Sequence, residues 1–127
     1  MGKQKKKILI VDDEEHICAL IADFCQVFGY ETRVLNDGAR VLAEAKSYHP
    51  DVITLDLLMP KVSGLDALQA LKNDAVTKDI PVIIISSVAD EAGLLNLIER
   101  ATQVMMKPVQ FKRLKGMFDV AFTNQGV

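Results

Sequence analysis

The sequence predicts an α/β domain, a doubly wound five-stranded parallel sheet with helices on both faces. Short runs rich in β-branched residues alternate with helical patterns along the chain, which is how repeated βα units read. The runs at 52–55 and 82–85 are apolar without alternation, as strands covered on both faces should be. Apolar runs also end in residues that chemistry can use. Ile8-Leu9-Ile10-Val11 leads into Asp12-Asp13, Val52-Ile53-Thr54-Leu55 into Asp56, residues 82–85 into Ser86-Ser87, and Val104-Met105-Met106 into Lys107-Pro108. In a parallel sheet all of these emerge at the carboxyl edge, where open α/β sheets place their ligand crevice.

The elements follow in order. The first strand covers 8–11. The first helix carries Ile17, Leu20, Ile21, Phe24 and Phe28 as an i, i+3, i+4 stripe, has Glu14 and Glu15 at its start, and stops at Gly29. A strand at 32–35 precedes an Asn36-Asp37-Gly38 turn and a helix with Val41, Leu42 and Ala45 inward. That helix ends at His49-Pro50, because the residue before proline is pushed out of the helical region. A third helix from about Gly64 has Leu65, Leu68 and Leu71 as its stripe, and a polar connector at 73–79 leads to Pro81 at the start of the next strand. A helix over 91–101 follows, in which Leu94, Leu95, Leu97 and Ile98 surround more of the girth than one buried stripe requires. The last helix carries Phe111, Leu114, Phe118, Ala121 and Phe122 on one side.

A chain of 127 residues is of single-domain size and long enough to bury a core. We expect a basic N-terminal arm at 1–7, a folded domain at 8–122 and a C-terminal tail at 123–127. Lys3, Lys5, Lys6 and Lys7 read as a solvated arm, and the net charge of −2 argues against a broad nucleic-acid surface. No run approaches the roughly 20 apolar residues of a membrane span, and 8–11 is too short for a signal-peptide core, so a cytoplasmic protein is expected. Cys18 and Cys25 share one helix face about 10 Å apart, beyond the roughly 7 Å that a disulfide spans. They read as small buried hydrophobes in a reducing compartment.

Asp12-Asp13 alone reads as a helix cap, and Asp56 alone is as ambiguous. Asp56 stands out because Met59-Pro60 and Gly64 shape an exposed loop after its buried strand. Lys107 beside several carboxylates has an obvious place as counter-ion, and Pro108 fixes the loop that aims it, with a cis bond as one option.

With these residues in place, the chain resembles the receiver domain of bacterial two-component response regulators, of the single-domain chemotaxis-regulator kind, from Ile8 to about Phe122. Asp12 and Asp13 are similar to the family's acidic pair, Asp56 to its phospho-accepting aspartate, Ser86 to its switch hydroxyl and Lys107 to its lysine before proline. Asp56-Leu57-Leu58-Met59-Pro60 with Gly64 matches its D-x-x-M-P…G stretch. The resemblance implies a flavodoxin-like (βα)5 fold with strand order 2-1-3-4-5. It implies Mg²⁺ held by Asp13 and Asp56 carboxylates, the Leu58 backbone carbonyl, and Asp12 through water. Asp56 then accepts a phosphoryl group from a histidine kinase or phosphotransfer protein, with Lys107 and Ser86 neutralising and binding its oxygens. Such a domain catalyses only its own phosphorylation and dephosphorylation. It signals by protein contact with a target or output domain, through the face formed by residues 91–101, the last strand and the last helix. No direct nucleic-acid or membrane contact is expected, and homodimerisation stays open.

The chain departs from the family pattern in two respects. Val104 stands where the family usually has a swinging Tyr or Phe, and a β-branched side chain stiff at χ1 cannot swing as a ring does. The surplus apolar residues of 91–101 are the alternative carrier of the signal. Leu58 and Val88 flank the path of the hydrolytic water and cannot orient it, so slow self-dephosphorylation is expected. Three rival readings are a receiver-like module that binds regardless of phosphorylation, an aspartyl-phosphate hydrolase, and a flavin binder. The hydrolase lacks its usual D-x-D acids and a substrate cap here. The flavin binder lacks a phosphate loop after Val11, where acids would repel phosphate.

Overall fold

The computed structural model describes residues 5–57, 64–87 and 102–125. Its elements are β1 (Lys7–Val11), α1 (Glu15–Val27), β2 (Glu31–Leu35), α2 (Val41–Tyr48), β3 (Val52–Leu55), α3 (Gly64–Asn73), β4 (Val82–Ser86), β5 (Thr102–Met106) and α4 (Phe111–Gln125). The five strands form one parallel sheet in the order β2-β1-β3-β4-β5. This is the expected doubly wound architecture. The helix expected at 91–101, with Leu94, Leu95, Leu97 and Ile98, lies outside the described residues, as do Leu58, Met59, Pro60 and Val88.

Consecutive strand residues point to opposite faces, and the core divides accordingly. Leu9, Val11, Ile53, Leu55, Val82 and Ile84 pack with Val41 and Ala45 of α2 and Leu68 and Leu71 of α3. Ile8, Ile10, Val52, Ile83 and Ile85 pack on the other face with Cys18, Ile21 and Cys25 of α1 and Leu114 and Phe118 of α4. Every residue of β3 and β4 is buried, as their unbroken apolar sequence predicts.

The rotation of α1 differs from the expectation. Cys18, Ile21 and Cys25 form its innermost line, whereas Leu20 is 51% exposed and Phe28 42% exposed. With Cys18, Ile21 and Cys25 turned to the sheet, Leu20 lies on the outer side of the helix. Ile17 and Phe24 flank that line, and Phe24 meets Phe111 of α4 at 5.1 Å between ring centroids. Both cysteines are free and buried.

Helix ends follow local chemistry. Gly29 has φ +76 after α1, its N–H donates to the Gln26 carbonyl, and Tyr30 N–H donates to the Cys25 carbonyl, together a left-handed glycine cap. Asp37 caps a short 3-10 turn at Gly38–Arg40 that feeds α2. His49 ends α2 in the left-handed region at φ 54, just before Pro50. In α3 the residues closest to the sheet are Gly64, Ala67, Leu68 and Leu71, with Leu65 only half-buried.

Candidate functional site

The sheet reverses its winding between β1 and β3, the two strands whose ends carry Asp12 and Asp56. Val11 and Leu55 are register partners, and Asp56 N–H donates to the Val11 carbonyl at 3.0 Å. Asp12 N–H donates to Leu35 at 3.2 Å on the other side. The ladders therefore hold both carboxylates at the switch point, where a ligand crevice is expected. Each is only 3% exposed.

Gly64 explains how α3 approaches this edge. Its N–H donates to the Leu57 carbonyl at 3.0 Å, and a Cβ there would overlap the Asp56 carbonyl oxygen and Leu57 Cα. A larger residue would push α3 away or displace the strand end that carries Asp56. Around Asp12, Asn36 Nδ2 donates to the carbonyl at 2.8 Å, the Cys18 thiol donates to the same oxygen at 3.3 Å, and Oδ1 accepts from Glu14 N–H at 3.0 Å.

Lys107 leaves β5 with a cis bond to Pro108, and its N–H donates to the Ser86 carbonyl at 2.9 Å. Its ammonium lies 2.8 Å from Glu14 Oε1, 3.1 Å from Asp12 Oδ2 and 3.3 Å from Asp56 Oδ2. Carboxylate oxygens of Asp12, Asp13, Glu14 and Asp56 all lie within 4.8 Å of one another. Burial pushes Asp12 up to about 6; the Glu14 N–H and Lys107 lower it and Asp56 adds to the rise. Burial would lower Lys107, but its hydrogen bonds to the Glu14 and Asp12 carboxylates outweigh it and hold the ammonium above its ordinary value. The lysine is charged at any physiological pH.

Asp12, Asp13, Asp56 and Lys107 thus meet at one place. Ser86 closes the buried end of β4 beside Met106 and accepts from the Lys107 backbone. Leu58, expected to offer a carbonyl to the metal, lies outside the described residues. Glu14 is the member that sequence reasoning assigned only to the helix start. The signal was present in its place directly after Asp12-Asp13, which makes its carboxylate part of the same turn. Val104 is half-buried and packs on the Leu9 face of the sheet.

The sequence model of the response regulator receiver domain matches residues 8–119. A probable transcriptional regulator, ycf27, of Cyanophora paradoxa is 34% identical over 116 residues, covering 91% of this chain and 47% of the relative. The polar-differentiation response regulator DivK of Brucella ovis is 38% identical over 84 residues, 66% of this chain and 68% of that protein. The chain spans about half the length of the ycf27 relatives it matches, 46% to 53%. Among solved structures, chemotaxis protein CheY4 of Vibrio cholerae superposes with a TM-score of 0.84 at 25% identity, covering 93% of this chain and 99% of that one. A receiver domain of sensor histidine kinase PA1611 from Pseudomonas aeruginosa, which has magnesium coordinated in its active-site cleft, gives 0.84 at 19% identity over 94% of this chain and 99% of that one. With the fold, the acidic edge and its lysine already in hand, the family match settles the assignment: this chain belongs to the response regulator receiver domain family.

Proposed function

We propose that this receiver accepts a phosphoryl group on Asp56 from a phosphohistidine of a histidine kinase or phosphotransfer protein. The observation that carries the reading is the convergence of Asp12, Asp13, Glu14 and Asp56 on one point, with Lys107 bridging three of them. A buried carboxylate with a fixed cation beside it is a nucleophile that stays oriented toward one approach.

The donor set fits a hard divalent ion. Mg²⁺ takes oxygen ligands, few of them carboxylates, and keeps several waters. Asp13 and Asp56 would hold it, with Asp12 through water and the Leu58 carbonyl completing the protein's share. When bound it would neutralise acid and phosphoryl oxygens together. An Asp56 carboxylate oxygen forms the new P–O bond as the P–N bond to the donor imidazole breaks, and that electron pair leaves on the imidazole nitrogen. Lys107 stabilises charge on the transferring oxygens, and the Ser86 hydroxyl donates to one oxygen of the product. The added charge then changes what the protein contacts.

We assign the readout to the exposed side of β5 and α4, where Met106 is 46% exposed and Val120 51% exposed, together with residues 91–101, which lie outside the described residues. The partners are a histidine kinase or phosphotransfer domain and a downstream target or output domain, and the setting is the cytoplasm. The test is intact-protein mass after incubation with a small phosphodonor and Mg²⁺. Wild type gains one phosphoryl group and Asp56→Asn gains none; equal gain in both overturns the reading.

A further inference from the structure

We infer that Glu14 is a placeholder for the incoming phosphoryl group: its carboxylate occupies the donor of Lys107 that a phosphoryl oxygen later takes. This rests on the proposed role of Asp56 as phosphoryl acceptor. It concerns how the site is kept before transfer.

An ammonium carries three N–H donors. Three carboxylates lie within reach of the Lys107 ammonium, at 2.8 Å for Glu14, 3.1 Å for Asp12 and 3.3 Å for Asp56. Those three contacts equal its donor number, so a phosphoryl oxygen that comes to Lys107 competes with carboxylates already there. The three are unequal in what withdrawal costs. The Asp12 and Asp56 side chains are 4% and 3% exposed, and a carboxylate drawn off the ammonium there gains no hydration in return. The Glu14 side chain is 45% exposed and rehydrates as it leaves.

Glu14 also has somewhere to go. Its Oε1 faces Lys107, whereas Oε2 lies 3.7 Å from His16 Nε2 on the solvent side. Its backbone is tied independently, with the N–H on Asp12 Oδ1 and the carbonyl accepting from Cys18 N–H. The side chain can therefore swing out without unwinding the start of α1. Until then it keeps Lys107 aimed and the third donor satisfied, as a carboxylate mimic of the phosphoryl oxygen. It is a positioning residue, acting through Lys107.

The probe is beryllofluoride, a phosphoryl analogue that binds an aspartate carboxylate, titrated calorimetrically with saturating Mg²⁺ into wild type, Glu14→Gln and Asp56→Asn. Removing the competing charge should tighten beryllofluoride binding about two- to fivefold in Glu14→Gln, the scale of one exposed ion pair. The gain should shrink as salt is raised from low to about 1 M, because an exposed pair is screened. Mg²⁺ binding without beryllofluoride should not weaken. Unchanged or weaker beryllofluoride binding in Glu14→Gln overturns the placeholder while leaving Asp56 as acceptor. Weakened Mg²⁺ binding in the same variant also overturns it, since Glu14 would then be a metal ligand. Equal binding by wild type and Asp56→Asn overturns the acceptor reading itself and the placeholder with it.

Discussion

The two ends of the same sheet handle charge in opposite ways. At the carboxyl edge four carboxylates crowd together, three of them on the Lys107 ammonium, and Asp12 and Asp56 are buried among them. Toward the amino edge, cations and acids are matched and wet. Lys7 N–H donates to Asp51 Oδ2 at 2.8 Å, Lys7 Nζ sits 5.3 Å from the Tyr48 ring centroid, and the Arg33 guanidinium lies 4.3 Å over that ring while reaching Glu44 at 3.1 Å. Buried like charges cost stability, and surface pairs contribute little. The carboxyl edge is therefore held by the rest of the fold in a state it would not choose alone, which is what the proposed cation and phosphoryl site would require. The amino edge has only to pack.

The largest effect should come from removing Lys107, the one cation at the carboxyl edge among the described residues. Lys107→Met takes the ammonium away from the buried Asp12 and Asp56, and breaking a buried pair in that way costs about 3–5 kcal/mol. Urea unfolding without divalent ions measures it. Adding Asp56→Asn to Lys107→Met should recover part of the loss, since one buried charge is removed with its repulsion. A loss under about 1 kcal/mol for Lys107→Met would place this edge with ordinary surface pairs and erase the contrast.

That contrast was half legible in the sequence. The fold class and the meeting of Asp12, Asp13, Asp56 and Lys107 follow from apolar runs that end in charged residues at one edge of a parallel sheet, whereas the strand order came only with the family resemblance. The rotation of α1 was not legible. Leu20 fits the helical stripe as well as Cys18 does, and only the depth of approach to the sheet decides which faces inward. Nor was Glu14 legible as a third partner of Lys107, because a glutamate at a helix start has a sufficient reason to be there in the helix dipole. The Glu14-to-ammonium contact is set by side-chain reach across 93 residues of chain.

The cysteines extend the comparison along α1, with Cys18 beside the carboxyl edge and Cys25 farther down the helix. Burial and the Asp12 charge push the Cys18 thiol up to about 11, and burial alone pushes Cys25 up to about 12, from an ordinary 9.0. Between pH 9 and those values the folded chain keeps protons that the unfolded chain has released. The folded state binds more protons there, so stability present below pH 9 is lost as pH rises through the window. Thermal midpoints at pH 7.5 and pH 10.5 should separate more for wild type than for Cys18→Ala/Cys25→Ala. Equal separation would mean that the thiols are reached by solvent in the folded state. The same burial predicts negligible alkylation by iodoacetamide at pH 8 until the protein is unfolded.

The smallest effect belongs to the amino edge. Arg33 is 46% exposed on its side chain, stacks on Tyr48 and pairs with Glu44, which also meets Arg40 at 3.5 Å. Losing the guanidinium leaves Glu44 with another cation and leaves Tyr48 with Lys7 near its ring, so nothing buried is stranded. Arg33→Gln should cost under about 1 kcal/mol, the combined scale of an exposed ion pair and an exposed cation–π contact. High salt should remove part of even that. Urea unfolding at low and high salt reads both quantities. A cost near that of Lys107→Met would show that the amino edge is as tightly poised as the site, and the division of labour between the two ends of the strands would fail.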